Sequence, residues 1–255
     1  MEEKENQHKE VLFGLIGKEI SYSFSKEYFS KKFSALDLEN HSYVNFDLDK
    51  ISVLPEVIHQ YKFSLKGMNV TIPYKQDVFL YLDKVHKVAK KVGAVNTIKF
   101  TKKGKLKGYN TDVIGFENSI RPLLQEHHKK ALILGTGGAS KAIAYVLKKL
   151  EIEFRFVSRI PKKKKHISYK DIDESILNEY TLIINCSPVG TYPNIHKSPN
   201  IPYQYLTEKH LLYDLIYNPS ETVFLKKGKQ YKAVIKNGFE MLELQAEASW
   251  EIWNS

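Results

Sequence analysis

Cysteine is almost missing from this chain, with Cys186 alone among 255 residues. A single thiol excludes an internal disulfide and fits a reducing compartment. Cys186 follows the apolar run TLII with no histidine nearby in sequence, so a small buried residue is a better reading than a nucleophile. Long apolar runs are missing too, and nothing reaches the roughly 18 residues of a membrane span. The opening MEEKENQHKE lacks the apolar core of a signal peptide. It reads as a frayed start, and the protein as cytoplasmic. The nine histidines form no HExxH pattern and no Cys/His cluster, which leaves a metal site unsupported.

Acidic residues are the scarcer charge: 29 Asp and Glu stand against 39 Lys and Arg, a net charge of +10. That sign suits nucleic acid or an anionic small molecule. The lysines are spread along the chain, and the dense run Lys162 to Lys165 has no interleaved aromatics. Nucleic-acid binding is therefore not expected, and much of the excess reads as solvated surface.

What is present is a globular composition, 42% hydrophobic and 27% charged, in a chain long enough for two cores. Short apolar runs alternate with helix-period segments, the pattern of an α/β protein. VLFGLIG, SYVNFDL, LKGMNVTI and AVNTIKF read as strands, with KLKGYNTD the hairpin partner of the last across TKKG. A helix is expected after VLFGLIG, and another from Pro73, where a first-turn proline needs no N–H. The second unit alternates through KKALILG, EIEFRFVSR, TLIINCSP, HLLYDLIYNP and AVIKNG, and the tail EMLELQAEASWEIW is helix-compatible.

In LILGTGGASKAIA, Gly135, Gly137 and Gly138, followed by Ala139, sit where a strand turns into a helix. Such a turn lets the backbone approach a pyrophosphate, whose charge the helix N-terminus meets. Ser140 occupies the third glycine position of a full GxGxxG, and a merely structural turn is the alternative. The second strand ends FVSRIPKKKK, with Ser158 and Arg159 where an NAD site usually carries a carboxylate. A hydroxyl and a guanidinium suit a 2′-phosphate instead, so NADP is the expected cofactor, against the alternative of a basic solvated loop. In the first unit Lys75 and Asp112 are candidates to stabilise and protonate an alkoxide formed by hydride transfer, although an isolated lysine is usually solvated.

NVTIPYK, GAVNTI and GYNTDVIGF, followed in order by the glycine turn, NCSPVGT, YDLIYNP and NGFEMLELQA, resemble the shikimate dehydrogenase family over nearly the full length. The resemblance implies two α/β domains with a cleft that closes over the ligands. Residues 1–114 with 239–255 would form the substrate domain, to which the last helix returns, and 115–238 a Rossmann-like domain. It implies NADPH-dependent reversible reduction of 3-dehydroshikimate to shikimate, toward chorismate and the aromatic amino acids, by a monomer or homodimer. Lys75 and Asp112 would be the catalytic pair. Ser23 and Ser25 in ISYSFSKEYF would hold the substrate carboxylate, two hydroxyls on one side of an extended segment. Thr71, Asn96, Tyr217 and Gln245 would bind substrate, Asn69 would shape the turn, and Gly238 would let the nicotinamide lie near backbone.

The sequence departs from the family pattern at several places. Tyr22 stands for the usual histidine, Lys26 for proline, Ser158 and Ile160 for the asparagine and threonine around Arg159, and Thr191 and Leu215 for methionines. Ile160 removes one phosphate contact, which bears on the strength of NADP preference. A quinate/shikimate dehydrogenase of broader cofactor use and a non-catalytic NADP-binding homologue are the competing readings.

Overall fold

A computed structural model describes residues 10–21, 23–161 and 163–255. The polar start up to residue 9, Tyr22 and Lys162 lie outside the described residues. Contacts divide the chain into two compact units, one holding the described residues up to Asn110 with Ser249–Ser255, the other Thr111–Ala248.

The first unit runs β1 (Val11–Gly17), α1 (Phe24–Ala35), β2 (His41–Asp47), α2 (Leu54–Gln60), β3 (Leu65–Val70), β4 (Lys84–Val85), α3 (Lys87–Val92), β5 (Thr97–Phe100) and β6 (Leu106–Tyr109). Its sheet has the order β2-β1-β3-β5-β6-β4. β1 is parallel to both β2 and β3, whereas β5 is antiparallel to β3 and β6 across the TKKG hairpin. The continuous apolar run of β1 follows from its central place, since it is covered on both faces. One face packs Leu12, Ile16, Met68, Val70 and Ile98 in a single cluster. The other is aromatic: Phe13 stacks on Trp253 at 4.7 Å and Phe29 on Tyr43 at 4.7 Å. Trp253 Nε1 donates to the Ile98 carbonyl (3.0 Å). Gly67 makes room for that indole, because a Cβ there would lie 2.2 Å from Nε1.

The second unit contains α4 (Asp112–Ile120), β7 (Lys130–Leu134), α5 (Gly138–Lys149), β8 (Glu153–Val157), β9 (His166–Ile167), α6 (Glu174–Glu179), β10 (Leu182–Asn185), β11 (Leu211–Asp214), α7 (Val223–Gln230), β12 (Val234–Lys236) and α8 (Phe239–Asn254). The strands are all parallel, in the order β12-β11-β10-β7-β8-β9. The first strand, β7, is therefore central and the order reverses between β7 and β10. This is the doubly wound arrangement, whose ligands lie outside the strand carboxyl ends at that reversal. The final residues of α8 leave this unit and join the first, so the C-terminal helix returns to the first domain.

At the opposite, amino-terminal end of this sheet, two buried histidines are held neutral. His128 Nδ1 accepts from Gln125 N (2.9 Å) while its Nε2 bonds the Lys209 carbonyl (3.2 Å). His210 Nδ1 accepts from Thr207 N (3.0 Å) and its Nε2 bonds the Leu177 carbonyl (3.0 Å). Burial is the main cause that lowers both imidazoles below their ordinary pKa. A lowered folded pKa means stability that is complete above the unfolded value of about 6.5 and is lost as pH falls through the folded value. The histidines' contribution to the thermal midpoint should thus hold between neutral and alkaline pH and drop as pH falls below about 6.5. His210→Asn, whose amide oxygen still accepts from Thr207, should shrink the drop. An unchanged pH profile in that variant would contradict the assignment.

Candidate active site

The turn after β3 is built on main-chain bonds. Thr71 N donates to the Ile16 carbonyl (2.8 Å) and Tyr74 N to the Thr71 carbonyl (2.9 Å). The Ile72–Pro73 peptide is cis. The helix expected from Pro73 does not form: residues 72–76 are turns, followed by a 3-10 segment at Asp77–Tyr81. The Lys75 carbonyl, which a helix would pair four residues on, instead accepts from Val95 N at 2.8 Å. Buried Tyr74 anchors the turn by donating its hydroxyl to the Leu48 carbonyl. Lys75 is consequently a half-buried turn residue rather than a first-turn helical one.

The same bonds tie the three sequence motifs of this unit together. Asn96 accepts from Val70 N through its carbonyl (2.8 Å) and donates its own N–H to Tyr109 O (3.0 Å). Register pairs Ile16 with Val70, Asn69 with Thr97 and Thr97 with Tyr109. Thr71, Lys75 and Asn96 thus leave the sheet at one end, the carboxyl end of β1, β3 and β6. Asn69 does not shape the turn. It lies within β3, where its side chain bonds Tyr43 and Ser249.

Ser23 and Ser25 are placed by α1, and the extended spacing expected for them is not observed. Ser23 is the N-cap, its Oγ accepting from Ser25 N (3.3 Å), and Ser25 lies in the first turn. An N-cap hydroxyl satisfies an otherwise orphaned helix N–H, which is why the helix begins one residue earlier than SKEYF alone implies. Both serines remain at the helix N-terminus, where an anion is favoured.

In the second unit, β7 runs into Gly135 at φ +113°, a conformation that favours glycine. Gly137 caps α5 with open space where a Cβ would stand, and Gly138 and Ala139 begin the helix. Ser140 Oγ donates to the Gly137 carbonyl (2.6 Å), so the residue in the third glycine position fastens the turn. Gly135 N donates to Val157 O (2.9 Å), which joins the turn to the end of β8. Ser158 and Arg159 follow immediately, Arg159 exposed and Ser158 half-buried with its Oγ accepting from Ile160 N (3.3 Å). An open glycine turn, a twelve-residue helix N-terminus and a neighbouring guanidinium fit a phosphorylated dinucleotide.

The family model described as "Shikimate dehydrogenase substrate binding domain" matches residues 15–98. The shikimate dehydrogenase (NADP(+)) of Methanococcus vannielii is 36% identical over 96% of this chain and 92% of its own. The chain belongs to the shikimate dehydrogenase family. A shikimate dehydrogenase solved in complex with NADP+ superposes with TM-score 0.83 at 35% identity, covering 96% of this chain and 90% of that one. A Thermus thermophilus shikimate 5-dehydrogenase, solved with NADP(H) and shikimate, gives TM-score 0.83 at 27% identity over 95% and 93%.

Within this family fold, Tyr217 and Gly238 lie at the carboxyl ends of β11 and β12. Gly238 N donates to the Ile216 carbonyl (3.1 Å), and a Cβ there would lie 2.1 Å from the Leu215 oxygen, so Gly238 first serves close packing. Gln245 on α8 accepts from Thr111 Oγ1 (3.4 Å). Gly115 permits that approach, since a Cβ would sit 2.5 Å from the Met241 carbonyl of α8. Asp112 is buried in the first turn of α4.

Sequence reasoning missed the polar knot at the carboxyl ends of β10 and β11. Asp214, fully buried, accepts from Thr222 Oγ1 (2.7 Å), Asn185 Nδ2 (3.0 Å) and Ile216 N (3.1 Å). Burial raises its pKa to about 6 against those donors. Asn185 Oδ1 in turn accepts from Ser187 N (3.1 Å) and Ser187 Oγ (2.7 Å). The signal was a polar residue ending each of two apolar strands, TLIIN and LLYD. Cys186 between them has its thiol pKa raised by burial and, secondly, by Asp214, which keeps it protonated and weakly nucleophilic.

Proposed function

We propose that this protein catalyses the reversible NADPH-dependent reduction of 3-dehydroshikimate to shikimate, a step toward chorismate. The observation that carries the reading is the co-occurrence of the NVTIPYK turn with an NADP-type β7–α5 and β8 end in one chain of this family. Gly135, Gly137, Gly138 and Ala139 would hold the pyrophosphate, and Ser158 and Arg159 the 2′-phosphate. The bound nicotinamide nucleotide supplies or accepts hydride.

The chain's own residues supply the rest. Ser23 and Ser25 bind the substrate carboxylate at the α1 N-terminus, while Thr71, Asn96, Tyr217 and Gln245 fix the ring. Lys75 holds a proton at the reacting oxygen and stabilises the negative charge that builds there as hydride arrives. Asp112 would be the second member of the catalytic pair, as the family resemblance implies. Arg159, with no carboxylate beside it in the SRI sequence, favours NADP over the broader quinate/shikimate reading. A cytoplasmic setting and a monomer or homodimer complete the proposal. Product analysis tests it: shikimate incubated with NADP should yield 3-dehydroshikimate and NADPH in equal amounts. Reduced cofactor without that product would refute the substrate assignment.

A further inference from the structure

The loop after β10 leaves the sheet beside the glycine turn, where the strand order reverses between β7 and β10. The two segments touch through their backbones. Cys186 N donates to the Leu134 carbonyl (2.9 Å). A Cβ on Gly135 would stand 3.2 Å from the Cys186 carbonyl and 3.3 Å from Ser187 N. Residues 186 and 187 are therefore immediate neighbours of the turn assigned to the pyrophosphate.

One amide holds this loop. Asn185 ends β10, paired in register with Leu134 of β7 on one side and Asp214 of β11 on the other. Its Oδ1 accepts from Ser187 N (3.1 Å) and Ser187 Oγ (2.7 Å). Its Nδ2 donates to the Val189 carbonyl (3.2 Å) and to Asp214 Oδ1 (3.0 Å). These partners fix which way the amide faces. A carbonyl and an ionised carboxylate only accept, and a backbone N–H only donates. Nitrogen must therefore face Val189 and Asp214, and oxygen must face Ser187. Asp214 is itself held from the segment after β11, by Ile216 N (3.1 Å) and Thr222 Oγ1 (2.7 Å). Asn185 is fully buried and has no surface to offer a ligand. Any influence it has on one passes through the loop.

We propose that Asn185 is a positioning residue for the nicotinamide nucleotide: its amide, oriented by Asp214, holds the 187–189 backbone in place beside the glycine turn. The proposal rests on the reading of that turn as the nucleotide site. A loop already held by fixed partners loses less freedom when a ligand binds against it, and the affinity gains accordingly.

Asn185→Ala removes the amide and no surface that a nucleotide could touch. In a fluorescence titration the Kd for NADPH should rise about three- to tenfold, and the Kd for NADH by a similar factor, with the number of binding sites unchanged. A merely structural loss would lower the number of sites and leave Kd alone. Thr222→Val is the control for stability, since it removes a bond to Asp214 and the N-cap of α7. Its thermal midpoint should fall while both Kd values stay within about twofold of wild type. Ser187→Ala changes only the loop's end of the contact and should raise both Kd values about twofold. Added to Asn185→Ala it should raise them no further, because that hydroxyl acts through the amide. The proposal is overturned if Asn185→Ala leaves Kd at the wild-type value, raises it for NADPH alone, or is matched by Thr222→Val. Multiplying effects in the double variant would overturn it as well. Should Asn185→Ala not fold, an unchanged Kd in Ser187→Ala overturns it instead. If the wild-type protein binds neither nucleotide, the reading of the glycine turn fails first, and the role of Asn185 with it.

Discussion

Replacing Lys75 with alanine should lower turnover of shikimate by about 10²–10⁴-fold, the usual contribution of a positioned acid or base. NADPH binding should stay within about twofold of wild type, because the substitution removes no part of the second unit's glycine turn. The separation is clean for a structural reason. What fixes the turn is the Lys75 carbonyl on Val95 N and the buried Tyr74 beside it, and alanine keeps both. The side chain is half-buried and ends in the one cation of the NVTIPYK segment. Its ammonium is asked to supply charge and a proton at the reacting oxygen. Steady-state rates together with a fluorescence titration of NADPH decide the matter. Turnover near wild type would remove Lys75 from the chemistry, and loss of NADPH binding would mean the turn itself had collapsed.

Arg159→Ala should raise the KM for NADPH by about 10- to 100-fold, the range expected for one charge-assisted hydrogen-bonded contact. Turnover at saturating cofactor should fall by much less, since the 2′-phosphate is remote from the reacting atoms. The geometry supports this split. Arg159 comes two residues after Val157, which pairs with Leu134 and whose carbonyl accepts from Gly135 N, so its backbone leaves the sheet beside the glycine turn. The neighbouring Ser158 Oγ bonds Ile160 N, a local turn that any residue at 159 retains. The KM for NADH should barely move in the variant. Equal rises for NADH and NADPH would place the effect in the turn's structure instead of the phosphate contact.

Most of this fold was legible because its two periodicities are strong. Continuous apolar runs such as VLFGLIG and KALIL became central parallel strands, and the glycine turn announced the helix that follows it. The TKKG hairpin was readable from the strand patterns on either side. What failed did so where a tertiary bond overrode a local preference. Pro73 is a good first helical residue, but the carbonyl of Lys75 goes to Val95, and no window of sequence contains that partner. Ser23 and Ser25 looked like an extended pair because the N-cap role of Ser23 depends on where the helix starts.

The chemistry was legible in part for a different reason. Lys75, Asp112 and the glycines stand in motifs whose order carries information. The residues beneath them, Asn69, Tyr43, Asp214 and Asn185, sit at strand ends or inside strands and look like isolated polar interruptions until the sheet aligns them. Asn69 meets Ser249 across 180 positions of sequence, a contact that only the return of the last helix creates. Glycines 115 and 67 were similarly silent, since the helix and the indole they admit come from the far end of the chain.

The most direct test is the initial rate of nicotinamide reduction by purified protein, followed by absorbance, with shikimate or quinate crossed against NADP or NAD. Rapid reduction with shikimate and NADP, and far slower rates in the other three mixtures, is the predicted result. No reduction in any mixture, from protein shown to be folded, would contradict the proposed activity.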